Sequence, residues 1–101
     1  MTRYRLTPAA RSNLIGIADY ILENSGPERA EAVIRTIQED IEKVAEMPGL
    51  GHSREDFTDE DVRFWTVYTY YIVYRAETRP LEVVAVISGW RDVERELAKR
   101  G

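Results

Sequence analysis

Apolar positions follow two rhythms along this chain. In the first half they recur every three or four residues: Leu14, Ile17, Ala18, Ile21 and Leu22, then Ala30, Val33, Ile34, Ile37, Ile41, Val44 and Ala45. Each set makes one stripe on a helix, which predicts helices over about residues 8–23 and 27–46. The punctuation agrees. Thr7 can cap the free amides of the first helix, and Pro8 sits where a helix loses no hydrogen bond. Gly26 can end it in the left-handed conformation, and Pro27 opens the next. Two such helices on so short a link form an antiparallel hairpin.

The second half is carried by shorter apolar runs. Residues 62–67, 69–75 and 81–88 are dense in β-branched and aromatic side chains, which suit a pleated, half-buried surface. Residues 2–7 alternate as a further short strand, with Tyr4 and Leu6 inward and Arg3 and Arg5 outward. Glu77-Thr78-Arg79-Pro80 is a polar turn between the last two strands. Tyr68 carries a tight turn between the middle two without the Gly or Asn that such turns favour. Pro48, Gly49 and Gly51 stop the second helix. Residues 53–61, with Glu55, Asp56, Asp59, Glu60 and Asp61, read as a solvated acidic loop. A short charged helix over residues 91–100 is held by Val93 and Leu97. The order β-α-α-β-β-β-α gives the class α+β: a helical hairpin packed on one face of a four-stranded, mostly antiparallel sheet, with a short C-terminal helix, in one domain over residues 1–101.

Alternation assigns the faces. On the third strand Tyr70, Ile72 and Tyr74 point one way and Tyr71, Val73 and Arg75 the other. The Ile72 side is expected to meet the helices. On the second strand Val62 and Phe64 part from Arg63 and Trp65, and placing the latter pair (with Val67) outward gives an open face of Arg63, Trp65, Tyr71 and Arg75. Large aromatics and Arg are what binding hot spots favour. That face is expected to be a partner surface or a nucleic-acid platform; the alternative is that its aromatics pack beneath the C-terminal helix.

Composition narrows the classes. With 101 residues, 44% hydrophobic and 32% charged, the chain can build one two-layer core and is not a disordered chain. It has no cysteine, so neither a disulfide framework nor a thiolate zinc site is available, and a cytoplasmic setting is expected. Met1-Thr2-Arg3-Tyr4-Arg5 lacks the apolar run of a signal peptide, and residues 83–87 are too short a stretch to cross a bilayer. The net charge of −4 divides into −6 over residues 1–61 and +2 over residues 62–101. An acidic balance argues against strong nonspecific nucleic-acid binding. Twelve of the fourteen basic residues are Arg, which suits planar recognition of carboxylate or phosphate.

Catalytic chemistry is poorly provided for. His52 is the sole histidine and lies in a Gly-rich turn. Ser53 beside it cannot face it as a nucleophile must face its base. The acidic run at residues 59–61 lacks the Gly and ligand spacing of a calcium loop, and no Gly-rich phosphate loop follows a strand. No metal and no cofactor are expected. Asp92 suits the N-terminus of the last helix and can also pair with Arg91.

Several motifs, in this order, resemble the RelE/ParE superfamily of bacterial toxins across nearly the whole chain. They are the Pro48-Gly49-Leu50-Gly51-x-x-Arg54 turn, the Val62-Arg63 strand start, Tyr70-Tyr71-Ile72-Val73-Tyr74-Arg75, and the Gly89-Trp90-Arg91-Asp92 junction. The resemblance implies the toxin half of a type II toxin–antitoxin pair, neutralised by a cognate antitoxin laid along its helices and sheet in a hetero-oligomer. RelE-like members are ribosome-dependent endoribonucleases; on that branch Arg63 and Arg91 would be the catalytic residues. The position of the family's third-strand Arg holds Tyr71 here, however, and the acid/base position in the last helix falls near Leu97. The turn, the second-strand Arg and the Tyr-x-x-x-Tyr-Arg strand resemble the ParE-like branch better. Its members poison DNA gyrase by binding and need no nuclease constellation. The expected partner surface is then Arg63, Trp65, Tyr71 and Arg75, with Trp90 and Arg91 at the junction.

Overall fold

Thr7 joins the first strand to the first helix and fastens both. Its hydroxyl oxygen accepts from the Ala10 N–H at 3.1 Å, capping the helix, and donates to the Val84 carbonyl at 3.1 Å. The computed structural model describes residues 3–90 and 93–99. Its elements are β1 (Tyr4–Leu6), α1 (Pro8–Ser25), α2 (Pro27–Glu46), a single 3-10 turn (Pro48–Leu50), β2 (Arg63–Val67), β3 (Tyr70–Arg75), β4 (Leu81–Ser88) and α3 (Val93–Lys99). The expected α+β order is therefore present. α1 runs two residues past its expected end, because only at Gly26 (φ +88°) does the backbone leave the helical region. There the Gly26 N–H closes α1 on the Leu22 carbonyl at 3.1 Å, and the Gly26 carbonyl accepts from Ala30 N–H of α2 at 3.2 Å.

The four strands lie in the order β1-β4-β3-β2; β1 runs parallel to β4 and the other neighbours are antiparallel. The helical hairpin covers one face. Ala10, Leu14 and Ile21 of α1 and Val33, Ile37, Ile41 and Val44 of α2 pack in one cluster with Val67, Ile72, Tyr74, Leu81, Val83 and Val86 of the sheet. The outward Arg3 and Arg5 and the half-buried Tyr4 and Leu6 follow the expected alternation of β1.

Two expectations about the sheet are corrected. Arg63 pairs with Tyr74, Trp65 with Ile72 and Val67 with Tyr70. Residues directly opposite each other share a face, so Arg63, Trp65 and Val67 lie on the helix side, and Phe64 goes with Tyr71 and Val73. Arg63 and Trp65 therefore do not share a face with Tyr71 and Arg75. Nor is the second face open. Val62, Phe64, Val73, Val84, Ala85 and Ile87 pack in a second cluster under Val93 and Leu97 of α3, with Phe57 and Tyr71 at its border. β4 serves both clusters with residues 83–87 all buried, and a bulge that leaves Val84 without a partner on β3 lets the strand do so.

The loop at residues 53–61 folds over this second face. The Phe57 ring centroid lies 5.6 Å from those of Phe64 and Tyr71. The Arg54 guanidinium stacks on Phe57 at 4.0 Å and grips Asp56 through two bonds of 3.0 and 2.8 Å. That pairing holds the Asp56 carboxyl below the ordinary carboxylate range. The β2–β3 turn does what its composition disfavours: Tyr68 takes φ +54°, uncommon for a bulky residue. Its ring is tethered to α2, where its hydroxyl lies 3.3 Å from Thr36 Oγ1 and the Arg29 guanidinium 6.0 Å from the ring centre.

Candidate functional site

The Pro48-x-x-Gly51 motif is a lock on the sheet, built around Tyr74. The Tyr74 side chain is entirely buried. Its hydroxyl donates to the Pro48 carbonyl at 2.7 Å and accepts from the Gly51 N–H at 2.8 Å. The Gly51 carbonyl in turn accepts from Arg63 Nη1 at 2.8 Å. His52 then extends the sheet edge by two backbone bonds to Phe64, of 3.0 and 2.8 Å; its own side chain is exposed. The motif thus joins the end of α2 to β2 and β3.

Burial pushes the Tyr74 phenol above its ordinary value of 10.0, with the Gly51 N–H and the Arg63 charge pulling the other way. A phenol whose folded pKa is raised holds its proton more tightly in the native state. Its stabilising effect is complete below the unfolded value and is lost as pH rises above it. Stability is expected to hold to about pH 9 and to fall as pH rises past the phenol's ordinary value of 10.0. Tyr74→Phe should be less stable at the lower pH and show a shallower fall, which urea unfolding across that range measures. An equally steep fall in the variant would assign the alkaline loss to other tyrosines.

The candidate residues fall in three places. Arg63 and Trp65 are half-buried on the helix side, where Trp65 Nε1 donates to Asp40 at 3.0 Å and the Lys43 ammonium lies 5.7 Å from the indole centre. Tyr71 and Arg75 are on the other face. Tyr71 is half-buried against Phe57 and Phe64. Arg75 bonds Glu82 at 3.2 Å and approaches Glu60 at 3.6 Å, while Arg5 also pairs with Glu82. That chain of charges ties β1, β4 and β3 to the acidic loop, at the small energies of partly exposed pairs. Trp90 follows β4 and is 85% exposed. Arg91, and Asp92 with it, lie outside the described residues. Arg63 and Trp65 are thus brought together, as are Tyr71 and Arg75, but the two pairs are on opposite faces and Trp90 is a third location.

Sequence reasoning missed a groove. It has a volume of about 620 Å³ and lies between α1 and the C-terminal end of β4, with Gly16, Ile17 and Tyr20 on one wall and Tyr70, Ser88 and Trp90 on the other. Tyr20 is 67% exposed. The signal available in the sequence was an aromatic residue, Tyr20, standing beside and not within the apolar stripe of α1. Among the described residues no group of three imidazole or carboxylate side chains is placed to hold a metal ion, and no helix is long and apolar enough to cross a membrane.

Comparison with known proteins places this architecture. The family model for the ParE toxin of the type II toxin–antitoxin system parDE matches residues 4–93. The chain is 29% identical over 97 residues to Toxin ParE1 of Mycobacterium tuberculosis, in both strain CDC 1551 / Oshkosh and strain H37Rv, covering 95% of this chain and 98% of the relative. Its fold is similar to a solved chain of the chromosomal ParDE TA system from P. aeruginosa, with a TM-score of 0.72 at 20% identity over 84% of this chain and 92% of that one. With the family pattern running from β1 to the first residue of α3, the chain belongs to the ParE toxin family of type II toxin–antitoxin systems.

Proposed function

We propose that this toxin acts in the cytoplasm by binding and inhibiting DNA gyrase, and that a cognate antitoxin neutralises it within a toxin–antitoxin hetero-oligomer. The observation that carries the reading is the family match over residues 4–93. The relatives named ParE1 and the solved ParDE system point the same way. Trp90 and Arg91 are the proposed contacts with partner proteins. Arg63, Trp65, Tyr71 and Arg75 contribute by shaping the sheet, since each is half-buried and engaged within the fold. The nuclease branch would use Arg63 and Arg91 together, and Arg63 instead spends a guanidinium N–H on the Gly51 carbonyl.

Induction of the chain alone in a bacterium, followed by pulse labelling, tests the target. DNA synthesis is expected to fall first, with a DNA-damage response and intact mRNA. Early loss of protein synthesis with cleaved mRNA would replace gyrase with the ribosome as the target. Unimpeded growth in both assays would remove the toxic activity altogether.

A further inference from the structure

The turn between β2 and β3 carries a cost that the fold does not require. Val67 pairs with Tyr70, so Tyr68 and Thr69 alone make the turn. In a two-residue hairpin loop, a first position with positive φ is where Gly is ordinarily used. Tyr68 holds φ +54° there with a bulky side chain, which is strained backbone for such a residue. Burial does not offset the strain, because Tyr68 is 52% exposed. The ring is instead held against α2. Its hydroxyl donates to Thr36 Oγ1 at 3.3 Å, and the Arg29 guanidinium lies 6.0 Å from the ring centre. Seven residues apart, Arg29 and Thr36 stand two turns from each other on one face of that helix. Arg29 is exposed and, among the described residues, makes no ion pair. Arg35 on the same helix, by contrast, is satisfied by Glu31 at 2.6 Å. The nearby Thr66 and Thr69 are short and exposed, so no bulky neighbour from the turn screens the ring.

We propose that Tyr68 and Arg29 are the anchor by which this toxin grips its target, the ring seated on an apolar patch of that protein and the guanidinium against a carboxylate beside it. The proposal rests on the target reading above and names a place of contact on this chain. Backbone strain kept at an exposed position points to a use outside the fold. Tyr and Arg are among the side chains that carry most of the energy at protein interfaces. A ring already tethered to Thr36 has less freedom to lose on binding. An exposed guanidinium without an anion calls for a carboxylate, and the ring keeps it close at hand. The target and not the antitoxin is the occupant for a reason of constraint. A target's surface is set by its own work, so the strain of matching it falls on the toxin. An antitoxin has this chain to fit and could follow an unstrained turn equally well.

Tyr68→Gly separates binding from folding, since Gly takes a positive φ freely. It is expected to melt no lower than the native chain. Purified DNA gyrase is one probe, and the protein encoded directly beside this chain's gene is the other. About tenfold or more Tyr68→Gly protein should be needed to halve DNA supercoiling, while its affinity for the adjacent-gene protein stays within about threefold. Tyr68→Phe keeps the ring and should match the native chain within about threefold in both assays. Unchanged inhibition by Tyr68→Gly would overturn the proposal and leave the gyrase reading standing. So would a Tyr68→Phe as weak as Tyr68→Gly, which would give the effect to the tether on Thr36. A fall in affinity for the adjacent-gene protein would make the antitoxin an occupant and also overturn it. Gyrase left untouched by the native chain would overturn the target reading, and the proposal with it. Arg29→Gln, at an exposed helix position, is expected to weaken inhibition about fivefold or more with unchanged melting; should Tyr68→Gly fail to fold, that variant decides by itself.

Discussion

Replacing Ile37 with Ala is expected to lower the unfolding free energy by about 2–5 kcal/mol. Ile37 is wholly buried at the middle of α2, in the same cluster as Ile41, Ile72 and Tyr74, which are equally inaccessible. Two contributions add. Removing the apolar side-chain atoms forfeits their transfer from water, and the space left behind is refilled only in part. Many of the neighbours are β-branched and held by helix or strand backbone, so they have few rotamers with which to close the gap. The expected cost thus falls in the upper half of the range. Small proteins are stable by only about 5–15 kcal/mol in total, so the variant would be visibly compromised in a denaturant titration. Gln38→Ala, one residue along and exposed, should change stability by no more than about 0.5 kcal/mol. A similarly small loss at Ile37 would mean that α2 presents another face to the sheet.

The second helix was legible because the stripe itself names the buried face; on α1 the stripe named Leu14 and Ile21 correctly, but Leu22 is 48% exposed. Ala30, Val33, Ile37, Ile41 and Val44 recur at the helical period and are the residues α2 buries. The strands were legible as elements but not as surfaces. Period two separates two faces of one strand without saying which face it shares with the next. That depends on register, and a shift of one residue exchanges every side chain. Here the register passes through the turn at Tyr68, whose positive φ is not signalled by a Gly or Asn. Arg63 and Trp65 were expected on the outer face for that reason. A second signal was present in β4: residues 83–87 contain no polar side chain. A strand with no polar face has both faces covered. Phe57, a lone aromatic in an acidic stretch, was likewise the anchor that folds the loop onto that second face.

The candidate site divides along the same line. The Gly51 and Tyr74 motif positions could be read from the chain, but their relation could not. The Tyr74 hydroxyl reaches back 23 residues to Gly51 and 26 to Pro48. Trp90 was named as part of the Gly89-Trp90-Arg91-Asp92 junction.

Gly51→Ala is expected to destabilise the chain by about 2–5 kcal/mol, from overpacking together with lost buried hydrogen bonds. The reason is space and not backbone conformation, since Gly51 has φ −75°, open to any residue. A Cβ at this position would lie 2.5 Å from the Tyr74 hydroxyl oxygen, 2.9 Å from its Cε1 and 3.0 Å from the Phe64 carbonyl oxygen. None of these can yield cheaply. The Tyr74 ring is enclosed by the core, and the Phe64 carbonyl is held by His52. The turn must move instead, which lengthens the Gly51 N–H bond to Tyr74 and the Arg63 bond to the Gly51 carbonyl. Gly49→Ala, two residues earlier, meets nothing within 4 Å and should be close to neutral. A double-mutant cycle locates the strain. Tyr74→Phe removes the atom of closest approach, so Gly51→Ala should cost less in that background than in the native chain. The expected coupling is about 0.5–3 kcal/mol. Additive costs would place the clash on the Phe64 carbonyl and make the hydroxyl a bystander to it.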